Sequence, residues 1–269
     1  MLMIILASCV GAGVYFATNR VCDLSMGWSI TSGIVAFAAF LIVPFRIIRN
    51  RVKSDMDRVQ SIMINGQKSL QNKMQRWRIC PPGSLQEAQK ELAKDTKAFV
   101  QAALAATNLL DKYRLWVPMM GRQIATMRLQ FHWMIKDFAD ADALFPKALY
   151  LDPTLYAIRM ARLYMLKKPV SEIEKIFKKA VKGARYNQNV MPVACYSWIL
   201  VQRGEIDAAF KVLTEALKKS DNEVLKRNHE QLMNNRVAHF TNSGLGDQWY
   251  SLFLEEPRVR TQRQRTVYR

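Results

Sequence analysis

Histidine and cysteine are scarce, and neither is spaced to hold a metal. The 269-residue chain has three histidines (His132, His229, His239) and four cysteines (Cys9, Cys22, Cys80, Cys195). No HxxxH, HExxH or Cys-x2-Cys spacing groups them, so a zinc site has no ligand set. Four scattered cysteines also cannot make a disulfide scaffold, and they fit a reducing compartment. Phosphate-binding loops and GxSxG elbows are missing too. Gly11-Ala12-Gly13 lies in an apolar run, and Ser243-Gly244-Leu245-Gly246 follows no predicted strand. Carboxylates are scattered, mostly beside basic residues. The expectation is therefore no enzyme, no cofactor and no metal.

Acidic charge is the second shortage: 22 Asp and Glu face 40 Lys and Arg, a net charge of +18. Such a balance favours polyanionic partners, whether phospholipid headgroups, nucleic acid or an acidic protein. Half the residues are hydrophobic, which excludes a wholly disordered or fibrous chain.

What is present begins with two uncharged runs. Residues 1–18 carry no charge and reach about 27 Å as a helix, close to the minimum for a bilayer core. A second run, Gly27 to Phe45, follows a short link. Two antiparallel spans over 1–45 are predicted. The segment after the second span (Arg46, Arg49, Arg51, Lys53, Arg58) is strongly basic and the link has one Arg, so the bulk of the chain is expected on the cytoplasmic side. A bacterial inner membrane is the expected location. A cleaved signal peptide needs a basic start, and nothing before Arg20 is basic. Leu6-Ala7-Ser8-Cys9 has lipobox character, with only five residues ahead of it; the alternative for Cys9 is a small residue packed between spans. The pairs Ala7/Gly11, Gly13/Ala17, Ser29/Gly33 and Ser32/Ala36 have small-xxx-small spacing. They suit either joining the two spans or dimerising the hairpin.

A basic helical-hairpin neck is predicted over 46–118. From Arg46 to Ile79 there is one Gly and no Pro, and Ile48, Val52, Met56, Val59, Met63, Leu70, Met74 and Trp77 form one helical stripe. Pro44 is expected to kink the helix, and Pro81-Pro82-Gly83 to stop it. Ser84 and Glu87 read as a capping box opening a helix to about Trp116. Its Ala side would lie antiparallel against the first arm. Residues 46–80 hold nine basic and two acidic residues, so Arg46, Arg49, Arg51 and Lys53 are expected to contact anionic lipid.

Residues 119–254 carry an internal repeat. Ala157, Met160, Ala161 and Tyr164, then Ile173, Phe177 and Ala180, are matched 36 residues on by Val193, Tyr196, Ser197 and Leu200, then Ala209, Leu213 and Ala216, with Gly204 at the turn. An earlier unit gives Ala125, Leu129, His132, Ala141, Phe145, Ala148 and Pro153. Over about 100 residues this resembles the tetratricopeptide-repeat (TPR) family. It departs from the family pattern at Arg128, Ile173 and Arg185. The resemblance implies stacked helix pairs, a TPR-like α-solenoid of about three repeats, which with the two-span transmembrane hairpin and helical neck read above makes an all-α fold. It also implies a concave groove for a protein partner, presenting Gln130, Trp133, Arg162, Met165, Trp198 and Gln202. The same residues could instead be core between repeats. His132 falls on a core aromatic position. At architecture level the layout resembles bacterial inner-membrane proteins that pair a short transmembrane hairpin with TPR repeats.

The polar helix Asn222 to Val237 suits a solenoid end, and Trp249, Tyr250, Leu252 and Phe253 are expected to fold back over the last repeat. Residues 255–269 are predicted to be a disordered basic tail, with five Arg from Arg258 onward and no acid. The expected function is a membrane-anchored scaffold for a partner protein, with homo-oligomerisation through the hairpin as an option. Nucleic-acid or ribosome binding is the runner-up. It rests on Lys167, Lys168, Lys175, Lys178, Lys179, Lys182 and Arg185, without any nucleic-acid motif. An accessory subunit of an envelope enzyme complex is a third reading.

Overall fold

A computed structural model describes residues 2–20, 25–79, 83–182 and 187–257. The elements are helical, with no strand among the described residues, so the chain is all-α as expected. Cys22, the Cys80-Pro81-Pro82 stop, Arg185 and the tail from Arg258 lie outside the described residues. The chain divides into two compact units, 1–149 and 150–269.

In the amino-terminal unit, helix α1 (Leu2–Arg20) packs antiparallel along the start of α2 (Met26–Ile79). Small residues let the backbones touch. A Cβ added at Gly11 would lie 3.1 Å from the Gly33 carbonyl, and one added at Gly33 would lie 3.0 Å from the Gly11 carbonyl. Ala7 and Ser29 are fully buried in the same seam, and Thr18 Oγ1 lies 3.2 Å from Ser32 Oγ. Ala7/Gly11 and Ser29/Gly33 therefore join α1 to α2, whereas Gly13 has open space around it. Among the described residues, α2 is the helix long and apolar enough to cross a membrane. Its apolar stretch has a mean hydropathy of 2.0 and is only 7% buried.

α2 does not end with the apolar run. It continues past Pro44 for 54 residues in all and becomes the first arm of the neck. The Ser84 side chain caps α3 (Leu85–Ala106) by accepting the Glu87 N–H at 3.1 Å. The arms are antiparallel, as expected: Tyr113 reaches Asp55, Phe99 covers Gly66, and Lys73 reaches Glu91 and Asp95. The predicted helix to Trp116 stops early, at Ala106, and a 3-10 segment Thr107–Tyr113 follows. The cause is local. The Thr107 hydroxyl donates back to the Leu104 carbonyl at 2.6 Å, competing with the regular helix ladder.

Two core clusters tie α4 (Met120–Met134) to the neck. Val59, Val100 and Ala103 hold Phe131; Leu110, Tyr113, Met120 and Ile124 gather against Ile48, Val52 and Met56. α5 (Phe138–Leu144) and a 3-10 turn at Phe145–Lys147 complete this unit. The first helix pair, expected in a domain beginning at residue 119, thus belongs to the compact unit that holds the neck. Arg128, the departure from the family pattern, is a reason for this. Its guanidinium donates to Thr107 Oγ1, Asn108 Oδ1 and Asp111 Oδ2 at 2.7–2.8 Å, all of them neck residues.

The carboxy-terminal unit stacks α6 (Pro153–Met165), α7 (Val170–Val181), α8 (Val190–Gln202), α9 (Ile206–Leu217) and α10 (Glu223–Met233). α8 is the centre: Met191 to Leu200 are all buried, with α6, α7 and α9 packed on it. The residues that set the repeat spacing are the ones that pack. Ala157, Met160, Ala161, Ile173, Ala180, Val193, Tyr196, Leu200, Ala209, Leu213 and Ala216 are buried, and Phe177 stacks on Tyr196 with ring centroids 4.4 Å apart.

Helices in both units end in one repeated way. After α4, α6, α8 and α10, the residues Lys136, Lys167, Gly204 and Asn235 have φ of 54–79°. The next N–H returns to a carbonyl five residues back, Asp137 to His132, Lys168 to Leu163, Glu205 to Leu200 and Arg236 to Gln231, at 2.8–3.0 Å. This is the Schellman ending. It reverses the chain at once into α5, α7, α9 and the 3-10 turn Val237–His239.

Candidate functional site

The basic residues beyond the apolar run, Arg46, Arg49, Arg51 and Lys53, are exposed on the first two turns of α2 after Phe45. Beside them on the folded neck lies the segment Arg114 to Met119. Its backbone is held by turns, with Trp116 and Val117 N–H groups donating to the Tyr113 carbonyl at 2.9–3.0 Å. Val117 packs inward on the Leu110 cluster, but Leu115, Trp116 and Met119 stay exposed at 74%, 36% and 54%. Met119 has φ +61° and leads into α4, which begins with Met120-Gly121-Arg122.

Next to this segment is a cleft of about 630 Å³ lined by Arg114, Met119, Gly121, Arg122, Ile124, Ala125, Arg128, Leu144 and Lys147. Four of its nine lining residues are cationic. Arg128 is fixed by its bonds to Thr107, Asn108 and Asp111, and Arg122 donates to the Ala148 carbonyl at 3.2 Å. Asp111 offsets part of the charge, accepting from Arg128 at 2.7 Å and lying 3.8 Å from Arg114. The cleft combines fixed cations with an apolar floor, the chemistry that holds a phosphate carried on an apolar body.

Asp55 braces the same end of the neck. It is buried, accepts the Tyr113 hydroxyl at 2.9 Å and pairs with Lys112 at 3.0 Å. The hydrogen bonds from Lys112 and Tyr113 hold its carboxyl below the usual carboxylate range, and Asp55 in turn raises the Lys112 ammonium.

Most of the residues expected to line a partner groove are wholly or partly covered in the fold. Trp133 is 2% exposed and sits edge-on to Phe138, and Trp198 is 6% exposed. Neither is presented to solvent as an anchor. Gln130, Arg162 and Met165 are half-buried and Gln202 is exposed. Trp198 is covered by the chain's own end. Trp249 and Leu252 are fully buried, Trp249 packs edge-on to Trp198, and Asn242 donates to the Ala194 carbonyl at 3.0 Å. The Glu255 carboxylate accepts the indole N–H of Trp198 at 2.8 Å and of Trp249 at 2.6 Å. The aromatic segment thus folds back over α8, as the sequence suggests, and Glu255, expected in the disordered tail, is packed with it. The acceptor role of Glu255 had no sequence signal.

His132 is mostly buried, as a core position implies, but its Nδ1 lies 3.0 Å from Asp137 and 3.8 Å from Asp140. Those two carboxylates follow the helix ending and were not grouped with it by any motif. Cys195 is fully buried, its thiol pushed up by burial and directed at the Ala157 carbonyl; Cys9 is exposed on α1. Lys175, Lys178, Lys179 and Lys182 are exposed on α7 and its carboxy-terminal cap, with Lys178 paired to Glu174 at 2.7 Å. No protein-family model, curated protein or solved structure matches this chain.

Proposed function

We propose that the protein is a membrane-anchored helical-repeat scaffold, with α1 and the start of α2 as a two-span hairpin and the later helix pairs as a TPR-like module on the cytoplasmic side. One observation carries the reading. An apolar stretch of α2 that is 7% buried continues without a break into an arm studded with exposed Arg and Lys. A soluble core helix would be covered, and a cleaved signal would not run on into a packed neck. Confining a binding module to a surface raises its effective concentration toward other residents of that surface.

The partner face is assigned to the carboxy-terminal unit around Arg162, Met165 and Gln202, since Trp198 is spent on internal packing. The test is affinity capture from native membranes with the full chain beside an Arg162→Glu, Met165→Glu variant. A protein lost selectively in the variant supports the assignment; an unchanged set of captured proteins refutes it. A carboxy-terminal reporter active only outside the cytoplasm should stay silent. The exposed lysines of α7 favour RNA as the competing partner. Salt-sensitive capture of unrelated RNA, unaffected by the double variant, would favour that reading.

A further inference from the structure

We infer that the neck makes a second membrane contact: the segment Leu115 to Met119 dips into the interface, and the adjoining cleft seats the headgroup of an anionic phospholipid. The inference rests on the anchoring proposed above and adds a site outside the anchor.

Depth is the first argument. The segment emerges from the cluster of Leu110, Tyr113, Met120 and Ile124, which packs on Ile48, Val52 and Met56. Ile48, Val52 and Met56 lie three, seven and eleven residues past Phe45, about 5, 10 and 16 Å further along the helix axis. The polar layer of each leaflet is about 5–7 Å deep. With Tyr113 beside Asp55 and the cluster resting on Ile48, Val52 and Met56, packing holds the segment at the end of the neck nearest the apolar run, just outside that layer.

Chemistry is the second argument. Leu115, Trp116 and Met119 present apolar surface that no described residue of the unit covers, although Val117 between them turns inward. A Trp with aliphatic neighbours suits the water–lipid boundary, where its ring is apolar and its N–H stays solvated. Arg114, Arg122 and Lys147 line the cleft that opens beside Met119, and Arg46, Arg49 and Arg51 lie on the neighbouring arm. An anionic phospholipid satisfies both halves at once, phosphate to the cations and acyl chain to Leu115 and Met119. A soluble acidic protein would leave the apolar half without a lipid-like match. Met119 keeps its bulky side chain in a left-handed turn where Gly would be unstrained.

The test uses the full chain in lipid nanodiscs of phosphatidylcholine, with or without phosphatidylglycerol, and acyl chains brominated near the headgroup. Trp116 emission is isolated by subtracting W116F from wild type, with circular dichroism confirming the helical fold. The expected result is a blue-shifted, bromine-quenched Trp116 signal that strengthens with phosphatidylglycerol. Leu115→Asp with Met119→Asp should abolish the quenching, and Arg122→Gln with Lys147→Gln should remove its dependence on anionic lipid. Trp77, about 48 Å past Phe45 along α2, should stay unquenched. A quenched Trp28 with an unquenched Trp116 overturns the second contact and leaves the anchor standing. If neither Trp28 nor Trp116 is quenched, the anchor reading falls as well. Quenching of Trp116 indifferent to phosphatidylglycerol overturns the headgroup site.

Discussion

Glu255 closes the carboxy-terminal unit by accepting the indole N–H of Trp198, 57 residues earlier in the chain, at 2.8 Å. Its second oxygen takes Trp249 at 2.6 Å. One carboxylate thus satisfies two buried donors and pins the segment around Trp249 to the central helix.

Glu255→Gln should lower stability by about 1.5–3 kcal/mol. The amide keeps one acceptor oxygen and turns an N–H group toward the other indole. Denaturant unfolding of the detergent-solubilised chain reads the loss, and tryptophan emission should shift to the red as the indoles become wet. An unchanged midpoint would show that the apolar contacts of Trp249 and Leu252 suffice.

Acid should loosen the neck. The folded Asp55 carboxyl is held below its unfolded value by Lys112 and Tyr113. Its contribution is therefore fully present above the unfolded value and is lost as pH falls below about 4. Asp55→Asn should flatten the acid limb of the melting temperature against pH, with little change in its shape near neutrality. Wild type and variant sharing the same acid limb would count against the brace.

Gly66 leaves room for the Phe99 ring between the two neck arms. A Cβ there would fall within 2.7 Å of Phe99 ring carbons. Gly66→Ala should cost about 1–3 kcal/mol through overpacking, despite the better helix propensity of Ala. Adding Phe99→Leu should restore most of the loss, because the two residues share one space. Additive losses in the double variant would place the strain elsewhere.

The repeated helix endings predict a sign reversal. Lys167 and Gly204 occupy the same position with φ of 55° and 79°. Lys167→Gly should stabilise by about 0.5–1 kcal/mol, while Gly204→Ala should destabilise by about 1–2 kcal/mol. Thermal melts of the two variants would test the pair. Equal signs would mean that the turns bear no strain.

These particulars also mark how far the sequence could be read. The helix pairs were legible because packing residues recur at fixed spacing, and Ala157 to Tyr164 and Val193 to Leu200 are where that spacing says the contacts are. The endings at Lys136 and Lys167 were not, since Lys carries none of the left-handed preference that Gly204 and Asn235 have. Arg128 was visible as an oddity in the pattern, yet its partners Thr107, Asn108 and Asp111 lie 17–21 residues away, beyond any periodicity. The tryptophans could be read as groove or as core for a related reason. Helical spacing puts Trp198 on a face of α8, but whether solvent or the chain's own end meets that face depends on contacts 57 residues distant. The small residues of α1 and α2 could not choose between joining each other and joining a second copy. The crowding at Gly11 and Gly33 shows that this pair joins α1 to α2.

Were the apolar stretch of α2 to span a bilayer as proposed, the unbroken course of this helix would make it a lever. From Phe45 to Ile79 the arm extends about 51 Å, so in a bilayer a 10° change of tilt would swing its far end by roughly 9 Å. Bilayer thickness, which governs how far such a helix leans, would thereby be translated into the height and reach of whatever the outer tip carries.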